Sequence, residues 1–275
     1  MDKYLKFWGT RGSCPVSGPE YLEFGGNSPC LEFVYDDILI IFDAGTGIRP
    51  LGKSLLSKKV KKINLFLSHM HWDHILGFPF FAPIYHSDID ISIWAPQGEG
   101  RSCHDLFQEV LAPEFFPLCL SELQAKLHFH VISDQVSVQK GPITLSFHKV
   151  NHPGLTYCFK IKTPHQTIGY VTDNELSLPF GKEQESLIEF YKECDLLIHE
   201  AQYSSKEYTE RKGWGHSDCI AALHFVEKTG AKKWLISHHD PSHTDEDLKR
   251  IATLVKEKSS VPSEWVKDGQ IVELL

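Results

Sequence analysis

The chain has 275 residues, of which 41% are hydrophobic, and 36 acidic against 28 basic side chains give it a formal net charge of -8. This length can bury a full core, either as one large α/β domain or as two small ones. The acidic balance argues against a protein that holds long nucleic acid by counterion release, because such proteins carry a basic surface. The basic cluster at residues 58–62 is short and is more consistent with a solvated loop. Small anions are not excluded as ligands.

Cysteine usage and hydropathy bear on the compartment. The 7 cysteines are odd in number and scattered, without a C-x-x-C pair, which argues against a disulfide framework and for a reducing environment. Residues 1–7 carry charges within their apolar run, unlike a signal peptide. No apolar run approaches the ~18 residues that a membrane-spanning helix needs. We therefore expect a cytoplasmic protein that has no membrane partner.

The first half of the chain is predicted to consist mainly of strands. Its apolar residues either alternate with polar ones or form short continuous runs, as in half-buried and fully buried strands. Strands are predicted at residues 3–8, 30–35, 38–43, 63–68, 91–95 and 127–132. Helices are predicted at residues 48–57 and 102–111, with a further short helix within 74–85.

Two loops rich in glycine and proline are predicted at residues 9–15 and 24–29. Arg11 and Asn27 lie in these loops and belong either to ordinary turns or, as the family resemblance given below implies, to a surface that touches a substrate. The turn interpretation is favoured, because glycine, proline and asparagine are typical turn residues.

The strand predicted at 63–68 leads into a cluster of polar residues, His69, His71, Asp73 and His74. Three imidazoles and a carboxylate are ligand types that bind zinc or iron through nitrogen and oxygen. His69 and His71 share one face of an extended chain, because alternate residues of a strand point the same way. With 16 histidines in the chain, a polar loop that is histidine-rich by chance is the alternative. The added Asp73-His74 and the position after a strand favour a metal site.

The second half alternates strands with helices. Strands are predicted at residues 143–150, 167–172, 194–198, 234–237 and near 271–274, and residues 154–157 are predicted to open a further strand. Helices are predicted at residues 183–193, 217–229 and 244–258. With the first half, this pattern predicts an α/β protein with two sheets covered by helices, in a single domain of residues 1–275.

Three polar residues of the second half directly follow predicted strands: His152, Asp173 and His238. Each has a simpler explanation, since a histidine at a strand end is often structural and an aspartate often forms a turn. The incomplete ligand set in the first half favours a ligand role for His152, and the position directly after an apolar run favours His238. A carboxylate such as that of Asp173 can bridge two metals through its two oxygens. His239 is the rival of His238, and His243 is a more distant one.

The pattern His69-x-His71-x-Asp73-His74 resembles the signature of the metallo-β-lactamase superfamily. The resemblance extends over almost the whole chain. It implies the fold of that superfamily, a four-layer αββα sandwich with a site for one or two metal ions. It also implies that Asp43, which ends an apolar run, orients a ligand or its loop and does not bind metal itself.

The resemblance further implies two divalent metal ions. Nitrogen and oxygen ligands suit zinc, with manganese or iron as alternatives. A water held between two dications loses its proton near neutral pH and becomes a bridging hydroxide nucleophile. By the family arrangement, His69, His71 and His152 bind one metal, Asp73, His74 and His238 bind the other, and Asp173 is shared.

Asp73 at the fifth motif position and the late His238 resemble the dinuclear phosphodiesterase branch, which includes ribonuclease Z. In that branch a glutamate in a His-Glu-Ala segment and a histidine in a Gly-His-Ser segment together protonate the leaving group. Glu200 and His216 lie in such segments here. A carboxylate raises the pKa of a neighbouring imidazole, which can then act as a general acid. The alternative is that Glu200 only bonds the backbone and His216 only precedes a helix.

Several features favour a small substrate over transfer RNA. The net charge is acidic, and residues 83–150 contain neither a glycine-rich arm nor a basic run. The segments 8–13 and 238–241 look more like those of small-molecule relatives, including cyclic-nucleotide phosphodiesterases. We therefore expect a metal-dependent hydrolase, catalytic through Asp73, Glu200 and His216, that acts on a small phosphodiester such as a 3′,5′-cyclic nucleotide.

Other functions remain as alternatives. One is a ribonuclease Z-like endonuclease that processes transfer RNA, and another is a di-iron oxygen-binding sensor. His71 counts against the sensor, whose usual pattern has glutamate there. A β-lactamase is least supported, because Asp173 stands where that branch tends to use cysteine and an export signal is lacking. The sequence allows a homodimer but does not determine the oligomeric state.

Overall fold

The computed structural model describes residues 2–98, 100–134 and 136–275. The chain divides into two compact units, and each contains one seven-stranded sheet. The first unit consists of the N-terminal strand up to Gly9, Asn27–Ile132 and Gly269–Leu274. The second consists of Thr10–Gly26, Ser133–Asp268 and Leu275.

The described residues form fourteen strands and seven α-helices. The strands are β1 (Lys3–Gly9), β2 (Cys30–Tyr35), β3 (Ile38–Phe42), β4 (Lys62–Phe66), β5 (Asp90–Ala95), β6 (Lys126–Val131), β7 (Ser137–Lys140), β8 (Ile143–Lys149), β9 (Tyr157–Lys162), β10 (Thr167–Val171), β11 (Leu196–Glu200), β12 (Trp234–Ser237), β13 (Ser263–Trp265) and β14 (Ile271–Glu273). The helices are α1 (Ile48–Ser57), α2 (Trp72–Ile75), α3 (Cys103–Val110), α4 (Lys182–Phe190), α5 (Ser205–Arg211), α6 (Cys219–Thr229) and α7 (Asp245–Lys258). Short 3-10 helices lie at Pro19–Tyr21, Phe78–Phe80, Ala82–Tyr85 and Leu120–Glu122.

The sheet of the first unit has the order β14-β1-β2-β3-β4-β5-β6. Strands β14, β1, β2 and β3 pair antiparallel, and β3 to β6 pair parallel. A parallel pair needs a crossover connection, which α1 supplies between β3 and β4. Its buried face, with Leu51 and Leu55, belongs to the same apolar cluster as Leu65 of β4. The carboxyl end of β4 therefore has a fixed position, and the histidine-rich segment begins there.

The sheet of the second unit has the order β13-β12-β11-β10-β9-β8-β7. Strands β10, β11, β12 and β13 run parallel, so their carboxyl ends lie at one edge of the sheet. In the register, Val171 pairs with His199, and His199 pairs with Ile236. Residues that follow these positions by one or two places are thus brought together, although they are far apart in the sequence.

The residues at the two ends of helix α6, in the second unit, explain where this helix begins and ends. The Asp218 side chain caps the helix by accepting bonds from the amides of Ile220 and Ala221, and Gly230 ends it at φ 70°. Its apolar face includes the fully buried Phe225, which belongs to the core cluster of this unit.

Most predicted elements are present, with bounds that differ by a few residues. The single helix expected within 74–85 is wrong, since α2 is followed there by two 3-10 helices. Pro79 and Pro83 explain the interruption, because proline cannot donate the backbone bond of a continuing helix. Strands β7 and β13 and helix α5 were not predicted, since each is too short to show a period. That both units form one domain stays a prediction.

Every helix in residues 2–98, 100–134 and 136–275 is too short or too polar to cross a membrane.

Candidate metal centre

The four predicted ligands of the first unit lie together after β4. The ring centroid of His69 is 4.4 Å from that of His71 and 4.2 Å from that of His74. His74 Nε2 is 3.3 Å from Asp73 Oδ2. His69, Asp73 and His74 are buried, whereas His71 is exposed. The turn between the strand and α2 thus gathers three imidazoles and one carboxylate.

Asp43 supports this cluster from the end of β3. Its Oδ1 accepts bonds from the Ser68 amide at 2.8 Å and from Ser68 Oγ at 2.9 Å, and its Oδ2 is 3.1 Å from His74 Nδ1. Since the Ser68 hydroxyl donates to Asp43, its oxygen accepts from His69 Nδ1 at 3.0 Å. Both rings then carry their proton on Nδ1 and present the Nε2 lone pair. Asp43 holds the position expected of a residue that orients ligands. Ser68 was not predicted, because a lone serine has no distinguishing spacing.

The three predicted ligands of the second unit also lie together, around the carboxylate of Asp173. His238 Nε2 is 3.3 Å from Asp173 Oδ2, and His152 Nε2 is 3.8 Å from Asp173 Oδ1. His216 Nδ1 lies 3.7 Å from the same Oδ1. All four side chains are buried. The parallel strands β10 and β12 place Asp173 and His238 at the same sheet edge.

The rings of His152 and His238 are fixed by acceptors on their other nitrogen. His152 Nδ1 donates to the Gly215 carbonyl at 2.9 Å, and His238 Nδ1 bonds Gln202 Oε1 at 2.8 Å. A carbonyl oxygen can only accept, so His152 carries its proton on Nδ1 and directs its Nε2 lone pair towards Asp173. Neither Gln202 nor the Gly215 carbonyl could be predicted from the spacing of residues.

The structure separates His238 from its two rivals. His239 Nε2 donates to the Val266 carbonyl at 2.8 Å, and burial lowers the pKa of His239 to about 3. His243 Nε2 lies 2.8 Å from a carboxylate of α5. His238 lies beside Asp173, so it is the best placed of the three to be the last ligand.

The loop residues Arg11 and Asn27 occupy structural positions. Arg11 is fully buried, and its guanidinium donates to the carbonyls of Gly25 at 2.8 Å and His243 at 2.7 Å. Asn27 accepts a bond from the Thr46 hydroxyl at 3.1 Å. These contacts agree with the turn interpretation of both loops.

Glu200 and His216 form a contact pair. Glu200 Oε1 lies 3.2 Å from His216 Nδ1, and Glu200 is fully buried. The carboxylate also accepts bonds from the backbone amides of Asn174, Gln202 and Ser217. Glu200 therefore has both roles that the sequence leaves as alternatives: it bonds the backbone and it pairs with the imidazole. Since β11 extends through Glu200, the residue is held within the sheet.

A cavity of about 480 Å³ opens beside His152 and Asn174 in the second unit. Two lysines, Lys149 and Lys182, and one glutamate, Glu183, line it together with the buried Leu187. Neither lysine has an acidic partner among the residues that the structure describes. The cavity therefore combines a predicted metal ligand with positive charge.

The donor sets of both units fit divalent cations. Histidines that bind zinc typically donate from one ring nitrogen to a fixed acceptor and bind the metal through the other. Here Nδ1 donates, and Nε2 lies beside a carboxylate. In a buried setting, carboxylates and imidazoles so close together are stabilised by a cation. The histidine and aspartate clusters are thus compatible with bound metal ions.

Residues 39–239 match the family model of the beta-lactamase superfamily domain. The chain belongs to this superfamily. It is similar to ribonuclease Z of Pyrococcus horikoshii, with 24% identity over 94% of this chain and 93% of that protein. It is also 26% identical to the probable metallo-hydrolase YhfI of Bacillus subtilis, over 81% of this chain and 84% of the relative.

Solved structures show the same fold. The crystal structure of YhfI from Bacillus subtilis has a TM-score of 0.76 at 20% identity and covers 100% of both chains. A diphosphatase from the PhnP family has a TM-score of 0.71 at 18% identity, over 99% of this chain and 98% of that one. The predicted metallo-β-lactamase fold class is confirmed. The family and the relatives also confirm the prediction that the chain is a metal-dependent hydrolase.

Proposed function

We propose that this superfamily member is a phosphodiesterase that acts on small phosphodiesters such as 3′,5′-cyclic nucleotides. In this proposal the chain binds two divalent metal ions, preferably zinc. His69, His71 and His152 hold one ion, Asp73, His74 and His238 hold the other, and Asp173 is shared. When bound, such cations acidify water and stabilise the charge that develops on phosphoryl oxygens.

The observation that carries the proposal is the contact between Glu200 and His216 beside Asp173. Cleavage of a phosphodiester expels an alkoxide, which leaves far more readily when it receives a proton. Glu200 Oε1 lies 3.2 Å from His216 Nδ1, so the buried carboxylate can accept a hydrogen bond from Nδ1 and leave Nε2 free to act on the substrate. His216 then donates its proton from Nε2, and Glu200 keeps the ring oriented.

The remaining residues orient the ligands. Asp43 and Ser68 hold the rings of His74 and His69, as the Gly215 carbonyl holds the ring of His152. Such supporting contacts fix ring orientation and strengthen the metal site.

Two observations support a small substrate. The cavity of about 480 Å³ beside His152 is within the range of small-molecule sites, and its two lysines suit a phosphate group. The chain carries a net charge of -8, which disfavours a long polyanion. The name of the diphosphatase with the same fold also supports hydrolysis at a phosphoryl group.

The test uses the full chain loaded with zinc or manganese, with metal content measured on the same sample. We expect metal-dependent hydrolysis of bis-p-nitrophenyl phosphate and release of a monophosphate from at least one 3′,5′-cyclic nucleotide. A metal-loaded sample that leaves both kinds of substrate intact would overturn the proposal.

A ribonuclease Z-like nuclease is the second candidate, favoured by the ribonuclease Z relative that aligns over 94% of this chain. A nuclease of this kind must bind transfer RNA with an affinity that falls steeply with salt. Strong, salt-dependent binding with cleavage near the 3′ end would replace the small-substrate proposal. Metal analysis with a visible spectrum tests the di-iron sensor, because zinc is colourless.

We also propose a reducing, cytoplasmic setting. Cys103, Cys158, Cys194 and Cys219 are buried thiols, and burial raises the pKa of Cys158 to about 12. A mass-spectrometric thiol count on protein trapped directly from cells tests this setting.

A further inference from the structure

A buried carboxylate anchors the turn that precedes His216. Glu175 accepts bonds from the amides of Gly213 at 2.8 Å and Gly215 at 2.8 Å, and from the Tyr208 hydroxyl at 2.9 Å. Burial, followed by the bond to Glu175, raises the pKa of Tyr208, so this hydroxyl stays a donor. Glu175 itself is only 7% exposed. A carboxylate that accepts several bonds in a buried site holds its partners firmly.

The anchored turn presents a tryptophan to solvent. Gly213 and Gly215 adopt φ values of 87° and 91°, which glycine tolerates and other residues do not. Trp214 lies between them and is 62% exposed. The turn therefore uses two glycines with positive φ and a buried carboxylate to hold a large aromatic side chain that is mostly exposed to water, although burial of its apolar surface would be favourable.

Trp214 lies close to the predicted reacting groups along the chain. The next residue, Gly215, supplies the carbonyl that holds His152, and the residue after that is His216. Two residues span at most about 7 Å of extended chain. The backbone of Trp214 therefore lies within about 7 Å of that of His216, the proposed general acid.

We propose that Trp214 is a stacking surface for a planar aromatic group of the substrate, of the class of a nucleobase, and that Glu175 is its positioning residue. This inference rests on the proposed phosphodiesterase function and names the substrate class more closely. Every base has a flat π face, so stacking tolerates different bases and favours purines by area. The expected specificity is therefore for nucleotides as a class.

Binding measurements on the metal-loaded full chain test the stacking surface without relying on turnover. The probes are adenosine 5′-monophosphate and ribose 5-phosphate. Both contain ribose and a phosphate, but only the first carries a base. Trp214→Ala should weaken binding of adenosine 5′-monophosphate about 5- to 100-fold, as alanine substitution of a stacking residue does. Binding of ribose 5-phosphate should stay unchanged, and Trp214→Phe should retain most of the affinity.

A second pair of variants tests the positioning role. Glu175→Gln removes the charge that holds two amides and should weaken adenosine 5′-monophosphate more than ribose 5-phosphate. Tyr208→Phe removes one of the donors and is the matched control, with a smaller effect. If Glu175→Gln unfolds, the Trp214 variants still decide the inference.

The outcomes separate this inference from the proposed function. If Trp214→Ala changes the affinities of both probes equally, or of neither, the stacking surface is wrong, even where the wild-type chain hydrolyses phosphodiesters. If the wild-type chain hydrolyses none but binds the nucleotide through Trp214, the proposed function fails and the stacking surface stands.

Discussion

Gly215→Ala and Gly213→Ala form a matched pair that tests how His152 is held. Both glycines lie in one turn with nearly equal φ values of 91° and 87°. Alanine at either position is strained by about 1–3 kcal/mol, the usual cost of a sparsely populated backbone conformation. Around Gly213 an added Cβ meets nothing within 4 Å, so backbone strain is its whole effect.

At Gly215 the added Cβ would lie 2.1 Å from His152 Nδ1, which is 1.3 Å short of an ordinary 3.4 Å contact. It would also lie 2.5 Å from Pro153 Cδ, so the ring has no simple way to move aside. The ring must shift by about 1 Å and lose its bond to the Gly215 carbonyl. Loss of such a supporting contact costs about 10- to 100-fold in metal affinity.

We therefore expect both variants to lose stability in urea unfolding of the metal-free protein. The loss should be larger in Gly215→Ala, which adds the clash with His152 to the backbone strain that the two variants share. Metal affinity, measured by competition with a chromophoric chelator, should fall about 10- to 100-fold in Gly215→Ala and stay near wild type in Gly213→Ala. Equal metal affinities in the two variants would refute the role of the Gly215 carbonyl in holding His152.

Three further predictions concern the proposed general acid, a proposed metal ligand and the buried thiols. His216→Asn should keep its metal but hydrolyse diesters about 10²- to 10⁴-fold more slowly, with the largest loss for poor leaving groups; an equal loss for p-nitrophenyl and alkyl leaving groups would contradict this. His71→Ala should lose metal and activity together, as elemental analysis and a diester assay on one sample would show; a variant that keeps both excludes His71 as a ligand. Burial raises the pKa of Cys103 and Cys158 to about 12, so both should resist iodoacetamide at pH 8 until urea unfolds the chain, as mass spectrometry of the alkylated peptides can show; rapid alkylation in the folded protein would contradict the burial.

The sequence predicted those parts of the fold that local patterns encode. Helix α1 and strand β12 were predicted with their observed bounds, because each has a clear period or apolar run between turn residues. The segment after Ile75 was mispredicted because its apolar residues resemble a helix, while two prolines prevent one from continuing. Short elements such as β13 depend on pairing with a neighbouring strand and have no local pattern of their own.

By itself, the sequence determined the ligand types and the compact cluster from His69 to His74, because neighbours in a turn after a strand cannot be far apart. Tertiary structure decided that Asp173 and His238 meet, since this follows from the parallel register of β10, β11 and β12. It also decided that Glu175 anchors the turn before His216 and that the Gly215 carbonyl holds His152. These contacts use backbone amides and carbonyls, which every residue but proline carries alike, so only the folded chain can assign them partners.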